Sequence, residues 1–478
     1  MKQAPSFMRR ASLALICAAL AACSTIPPYQ RPEVAVPAQF SSAPGWSIAA
    51  PTDQAPRGPW WTLFQDPQLD ELEAQVDVSN QSLKKAVSQL QQARAMFDYQ
   101  QAGFWPTVTA GLSQSRARTS QNVQGKSLAG KTVPDYSAGV SASWEPDLFG
   151  RIHDAAVNAQ ANADATQADV EAVRLSITSQ LAVDYFNLRS LDMQKKLLDD
   201  SVVAYDAALR LLNQQLVNGA IDASAVAQAR AQLESTRTQA TETASQRAQL
   251  EHAIATLVGQ PASTFKIATH VQQLKLPTVP SALPSQLLER RPDIAAAERR
   301  VFAANAQIGE ARAAFFPSLT LGVSAGLEST FYAPWLTAPS LFWSLGPQLA
   351  GTLFDGGRHH AMLASARAQY DGSVADYRQT VLTSFQQVED NLTSLGALSD
   401  EARSQRHASD AAALSLKLTT NRYQAGAVSY LDVVTAQTIA LDNERTAEQI
   451  DARRAIASVG LLVSLGGDWQ QAAKSSGQ

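Results

Sequence analysis

Cysteine is almost absent from this chain. Only Cys17 and Cys23 occur in 478 residues, both inside the opening stretch "LALICAALAACST". Beyond it there is no thiol for a disulfide framework or a cysteine metal site. Charge is sparse too, at 17% of residues, and a formal net charge of −4 lacks the basic excess that a nucleic-acid partner calls for. Aromatic residues make up 7%; Ala, Gln and Ser supply much of the bulk, which suits long helices meeting through small side chains better than compact enzyme cores. Between Arg151 and Asn218 there is neither glycine nor proline. If that stretch is largely helical it reaches roughly 100 Å, a rod that no compact domain contains.

What is present begins with a leader. Lys2, Arg9 and Arg10 form a charged region ahead of an apolar core from Ala11 to Leu20, which reads as a signal peptide over residues 1–22, too short to span a bilayer. The residues Leu20-Ala21-Ala22-Cys23 resemble the lipobox of bacterial lipoproteins. That resemblance implies a lipid on the Cys23 thiol, Cys23 as the mature N-terminus and, with Ser24 rather than Asp next, passage to the outer membrane. The competing reading is ordinary signal-peptidase cleavage beside an incidental cysteine. Cys17 is lost with the leader, and losing the three cations takes the formal charge from −4 to −7.

Residues 24–59 hold eight of the 22 prolines and read as an extended strap. The character changes at "WWTLFQDPQLDELEAQVDVSNQSLKKA", where Asp66 fits a helix cap with Pro67 in the first turn. Leu69, Leu72, Val76 and Leu83 follow at helical spacing. An internal repeat then emerges. "FWPTVTAGLSQS" at Phe104 returns as "FFPSLTLGVSAG" at Phe315, and "LFGR" at Leu148 returns as "LFDGGR" at Leu353. "VNGA" around Gly219 matches "QAGA" around Gly426, and "LVGQ" at Gly259 matches "SLGG" at Gly466. Each copy reads strand, strand, long helix, break, helix.

The strands alternate. Leu319, Leu321, Val323, Ala325 and Leu327 point one way, Ser318, Thr320, Gly322, Ser324 and Gly326 the other. "YSAGVSASW", "TVTAGLSQS" and "SLFWSLGPQLAGTLF" complete a set of four. Ten-residue runs with one apolar and one small polar face fit transmembrane β-strands. Singly they fit a soluble sandwich equally well; the rods between them decide. Val374, Tyr377, Val381, Phe385, Val388, Leu392 and Leu395 recur at three- and four-residue steps, a coiled-coil-like seam for a helix standing in water. Four strands cannot close a barrel alone, and an open edge in lipid leaves backbone groups unpaired. The chain must therefore pool strands with copies of itself, giving eight, twelve or more in a cyclic assembly.

The mature chain resembles, essentially end to end, the TolC/OprM-like outer-membrane factors, and within them the NodT-type efflux lipoproteins. "WWTLFQDPQLDEL", "SWEPDLFGR", "LLERRPDIAAAERR", "ARAAFFPSLTL" and "NRYQAGAVSYLDVVTAQ" carry the resemblance. It implies a mixed α and β fold: a homotrimer with twelve pooled strands as an outer-membrane β-barrel and long antiparallel helical hairpins as a periplasmic α-barrel. It also implies a passive exit duct, lipid-anchored in the outer membrane, that docks a periplasmic adaptor and an inner-membrane pump. The layout is then a strap at 23–59, first helices at 60–103, strands at 104–150, and a helical hairpin at 151–259. A crossover with helices follows at 260–314, strands at 315–355, a second hairpin at 356–466 and a tail at 467–478.

The family's constricting residues follow the Tyr-x-x-Gly turn, here Tyr423 to Gly426. Asp432 falls at an aperture aspartate, whereas the second aspartate position is Thr435 and a basic position is Val428, so a charged latch is missing. Three such carboxylates near a symmetry axis repel one another, which raises their pKa values and attracts cations. In the first copy the equivalent of Asp432 is Ala225, with Asp222 nearby. The turns at Gly219 and Gly426 fit helix C-caps. Their functional reading is the tip an adaptor touches, with Arg422 and Tyr423 as contact or latch residues.

Catalytic and metal sites are not expected, nor is a cofactor beyond the lipid on Cys23. In "DGGRHH" the adjacent His359 and His360 lack the i, i+4 spacing of helix ligands, and Asp147 and Asp355 read as turn residues. The alternatives to an efflux duct are a protein-secretion channel and a structural coiled-coil surface lipoprotein. Amphipathic strands argue against the spacer.

Overall fold

The computed structural model describes residues 26–33, 58–122, 129–272, 274–277 and 291–467. Cys17, Cys23, the leader, most of the strap and nearly all of the C-terminal tail lie outside the described residues. A 3₁₀ turn over Trp60–Phe64 leads into α1 (Pro67–Ser79) and α2 (Gln81–Ala102). Next come β1 (Thr107–Arg118), β2 (Thr132–Trp144), α3 (Arg151–Val217) and α4 (Ala223–Leu257). The second half supplies α5 (Pro292–Ala313), β3 (Ser318–Ser329), β4 (Leu341–Ala350), α6 (Arg358–Gln424) and α7 (Tyr430–Ser464). The long helices α3 and α6 each run 67 residues and their partners α4 and α7 each run 35. The fourth strand stops at Ala350, short of the predicted Phe354, where Gly351 packs on Pro317 and the chain leaves the sheet.

The residues fall into two compact units. One contains Gln89–Thr166 and Ala296–Tyr377 with residues 26–33. It holds a single antiparallel sheet in the order β1-β2-β3-β4, so β1 and β4 are its edges. Residues 26–33 lie over α5 and α6. Tyr29 meets Phe302 edge-on at 5.1 Å, the Asn305 amide donates to Pro27 O at 2.9 Å, and Arg31 Nε donates to the Tyr377 hydroxyl at 3.1 Å.

The other unit takes in the described residues of Val34–Ser88, Gln167–Ala295 and Arg378–Gln478. The Asp66 carboxylate caps α1 as expected, accepting from the backbone N–H groups of Gln68 and Leu69. Of the predicted seam, Tyr377, Val381 and Val388 are buried. Leu398 and Ala402 of α6 pack with Ile450 and Ala457 of α7, and Leu198, Ala240 and Leu441 tie α3, α4 and α7 together. Such a buried leucine contributes about 2 kcal/mol, whereas surface pairs such as Lys196–Asp200 contribute about 0.3–0.5. Packing therefore holds the rods together, and the surface charges mainly keep them in water. One buried ion network fixes the segment after α4. Arg247 bonds Asp192 at 2.6 Å and Ile267 O at 2.8 Å, and Glu251 accepts from the Ile267 N–H at 2.7 Å.

Candidate functional site

Two features carry chemistry, a sheet face and a set of helix ends. In the sheet, Val108 stands opposite Ala142, Ala142 opposite Val323, and Val323 opposite Leu345. The neighbouring row joins Ala110, Val140, Ala325 and Trp343. Along these rows the face is apolar, and Val108, Leu112, Val140, Val323, Trp343 and Leu345 are exposed on it, with Gln114 and Arg116 following beyond Leu112. On the other face Thr109, Ser141, Ser324 and Ser344 line up as a hydroxyl row, with Thr109 and Ser141 hydrogen-bonded at 2.8 Å. Beside it Gly111, Gly139, Gly326 and Phe342 form another row, and the Phe342 ring lies over Gly326 and Gly139.

Aromatic residues mark both ends of the sheet. At one end Trp144 Nε1 donates to Phe104 O at 2.9 Å beside Trp105. At the other, Tyr136 packs on Tyr332 and Trp335 at 5.6 and 5.7 Å. An apolar band between aromatic ends is the chemistry that suits a strand face turned toward lipid. No helix among the described residues is long and apolar enough to cross a membrane.

The helix ends repeat one device. The Gly219 N–H donates to Leu216 O and the Ala220 N–H to Gln215 O; Gly426 and Ala427 donate identically to Tyr423 O and Arg422 O. These are Schellman caps, with Gly219 and Gly426 at φ of +69° and +75°. Gly219→Ala or Gly426→Ala is expected to destabilise its turn by about 1 kcal/mol, read as faster hydrogen exchange confined to the adjoining helix ends.

Leu212, Val226, Ala229, Tyr430 and Val433 form a cluster that joins α3 and α4 to α7, with Tyr423 of α6 packed against it. Tyr423 meets Tyr430 edge-on at 5.5 Å and so belongs to packing as well as to the turn. Arg422 and Thr435 are exposed, the Thr435 hydroxyl donating to Leu431 O at 2.9 Å.

Asp432 has a role missing from the sequence reading. Its carboxylate accepts from the Ser429 hydroxyl at 2.7 Å and the Ser429 N–H at 2.9 Å, the carboxylate half of a capping box at the start of α7. Those bonds, with the Arg422 charge, hold its pKa below the usual carboxylate range. Mutual repulsion among copies was expected to raise it; within one chain the cap prevails. The spacing Ser429-x-x-Asp432 was the available signal. Asp222 occupies the matching N-cap of α4 and bonds the Ser224 N–H.

"DGGRHH" is likewise a cap. Asp355 accepts from the backbone N–H groups of Gly357 and His359, both at 2.8 Å, and both histidine rings pack on Phe315. Asp147 does the same for the His153 N–H at 2.6 Å. Among the described residues no group of three or more His, Cys, Asp or Glu side chains is placed to hold a metal.

The sequence model of the family described as "Outer membrane efflux protein" matches residues 72–260 and again 283–467. The chain belongs to the outer membrane efflux protein family. The cation efflux system protein CusC of Escherichia coli is 32% identical to this efflux protein, over 95% of this chain and 98% of CusC. The probable outer membrane lipoprotein SilC of Salmonella typhimurium is 31% identical over 94% and 96% of the two chains. The pyoverdine export outer membrane protein OpmQ of Pseudomonas aeruginosa is 31% identical over 97% and 98%. A solved structure of CusC superimposes with a TM-score of 0.82 at 30% identity, covering 93% of this chain and all of that one. The efflux protein is thus an outer-membrane component of an efflux system, which sets the surface-spacer alternative aside.

Proposed function

We propose that this efflux protein is a passive exit duct formed by three copies, each adding four strands to a twelve-stranded barrel in the outer membrane. The observation that carries this reading is the uncovered apolar face of a four-stranded sheet with two open edges. Lipid suits the face, and strands of other copies suit the edges. The matched helix lengths and the family's two successive matches support an origin by duplication. The helical hairpins form the periplasmic part. Their ends at Gly219, Gly426 and Arg422 meet a periplasmic adaptor, and an inner-membrane pump supplies the energy.

The named cargoes of the relatives differ, from cations for CusC to pyoverdine for OpmQ, at nearly equal identity to this chain. Selection therefore belongs to the pump, and the duct's hydroxyl and glycine face discriminates little. Lipidation of Cys23 fits the fold. Ile26 packs beside Gly309 near the end of α5 that leads into β3. Cys23 lies three residues upstream in the sequence, and an acyl chain on its thiol would add a lipid anchor beside this segment.

Asp432 lines the closed aperture, with Thr435 and Tyr423 nearby. Asp432→Asn removes its charge while keeping an acceptor for Ser429. In planar lipid bilayers the purified variant is expected to conduct more and to be blocked less by divalent cations. Because the Ser429 bonds and Arg422 lower the carboxyl pKa, cation block in the parent persists as pH falls through the ordinary carboxylate range. Conductance and block identical to the parent's would remove Asp432 from the aperture.

A further inference from the structure

Past its apolar rows the sheet sorts charge by face. On β1 the side chains that share a face with Leu112 continue as Gln114, Arg116 and Arg118, opposite Tyr136, Pro134 and Thr132 of β2. Both arginines are exposed, and neither has a hydrogen-bond or ion-pair partner among the described residues. The acids of this end stand on the other face, Asp135 opposite Ser115 and Glu328 opposite Ser137. The connections add cations and no acid. Residues 119–131 contain Lys126 and Lys131, and residues 330–340 carry no charge.

The β3–β4 connection folds onto the face that bears the arginines. Tyr332 and Trp335 pack on Tyr136, and Trp335 Nε1 donates to Leu327 O at 3.4 Å, while Phe331, Tyr332 and Leu336 stay exposed. The rows also set a depth. Arg116 lies six residues up the strand from Ala110 in the middle row. That is about 20 Å along the strand and about 15 Å along the membrane normal at the tilt of a barrel strand. It falls just beyond half the height of a roughly 25 Å apolar band. The helices leave the sheet at its other end.

We propose that Arg116 and Arg118 form a phosphate-binding site for a phosphorylated lipid of the outer leaflet, with the segment from Phe331 to Leu336 as its apolar border. The site rests on the exit-duct reading, which turns this face to lipid and this end outward. Same-face neighbours on a strand stand about 7 Å apart, so the two guanidinium groups converge on one phosphate or bracket two. Arginine suits the position. Its stem lies along apolar surface, its fork pairs two phosphate oxygens, and its charge persists at the edge of hydrocarbon. Charges that only blunted the exposed edge of β1 would serve from either face. Here the cations take the lipid side and the acids the other, which matches an anionic headgroup above acyl chains.

Native mass spectrometry of the full-length protein, purified in detergent and stripped of lipid, tests the site on the assembled species. Three probes are added in turn: lipid A with its phosphate monoesters, dephosphorylated lipid A, and phosphatidylglycerol. The parent is expected to hold lipid A about tenfold more tightly than either of the others, a comparison that needs no variant. Arg116→Gln combined with Arg118→Gln removes that preference and leaves the dephosphorylated form bound as before. Asp135→Asn, on the opposite face, binds all three as the parent does. Lipid A held no better than its dephosphorylated form, or no loss in the double variant, overturns the site. Phosphatidylglycerol held as tightly as lipid A overturns the assignment to the outer leaflet. An assembled species indifferent to phosphate leaves the exit-duct reading standing without this site, whereas a parent that forms no assembled species overturns both.

Discussion

Glu73→Gln raises the thermal midpoint of the detergent-solubilised protein by several degrees at pH 8 and leaves it unchanged at pH 4. Glu73 sits in α1 with 1% of its surface exposed, and neither carboxylate oxygen has a hydrogen-bond partner. Burial first, then the charges of Asp77 and Asp70, push its pKa from the ordinary 4.5 up to about 9. Folding at neutral pH must therefore return a proton to a carboxyl that the unfolded chain has lost. The sign follows from the raised value. The full contribution is present below about pH 4.5, shrinks as pH rises, and reaches its floor once pH passes about 9. At pH 8 the cost is on the order of 5 kcal/mol per chain, with 1.36 kcal/mol for each pH unit above the unfolded pKa. Glutamine has the same shape and no proton to return, so the variant loses the slope. Glu73→Met also removes the two unpartnered oxygens and stabilises at every pH. A Glu73→Gln protein that weakens between pH 5 and 8 as steeply as its parent would show that another group sets the slope.

Val140→Arg is expected to abolish the assembled protein in the outer membrane, while Ser141→Arg next to it is tolerated. Val140 lies in the middle row of the sheet on the apolar face, between Ala110 and Ala325. An arginine facing lipid near the bilayer centre costs about 2–4 kcal/mol. Ser141 points the other way, into the hydroxyl row with Thr109. Arginine there enters the water of the duct and shifts ion selectivity toward anions. Unboiled gels of outer-membrane fractions read the first outcome and reversal potentials in planar bilayers the second. Parental levels of assembled Val140→Arg would mean that this face does not meet lipid.

Much of the architecture was legible because its signals are local. The breaker-free stretch after Arg151 became α3, Asp66-Pro67 became a capped helix start, and the alternation around Val323 became a strand with two unlike faces. Features that depend on a second element were harder. Glu73 stands at i+4 from Leu69 and i−3 from Val76, squarely on the apolar stripe of α1, yet a glutamate is ordinarily read as solvated. The resemblance places Asp432 at the aperture, whereas its bonds to Ser429 follow from the local spacing Ser429-x-x-Asp432. The docking of Tyr29 and Arg31 on Phe302 and Tyr377 joins segments about 270 to 350 residues apart, beyond the reach of any periodic pattern.

The stacked pair Phe149 and Phe316 also bears on how the sheet comes together. Because both rings belong to one chain, their contact forms at the high effective concentration of a tethered reaction, whatever the abundance of the protein. The β2–β3 pairing beside it forms in the same way. Closing this seam is therefore a first-order event, independent of encounter between molecules, which matters most in a membrane where newly inserted chains are few.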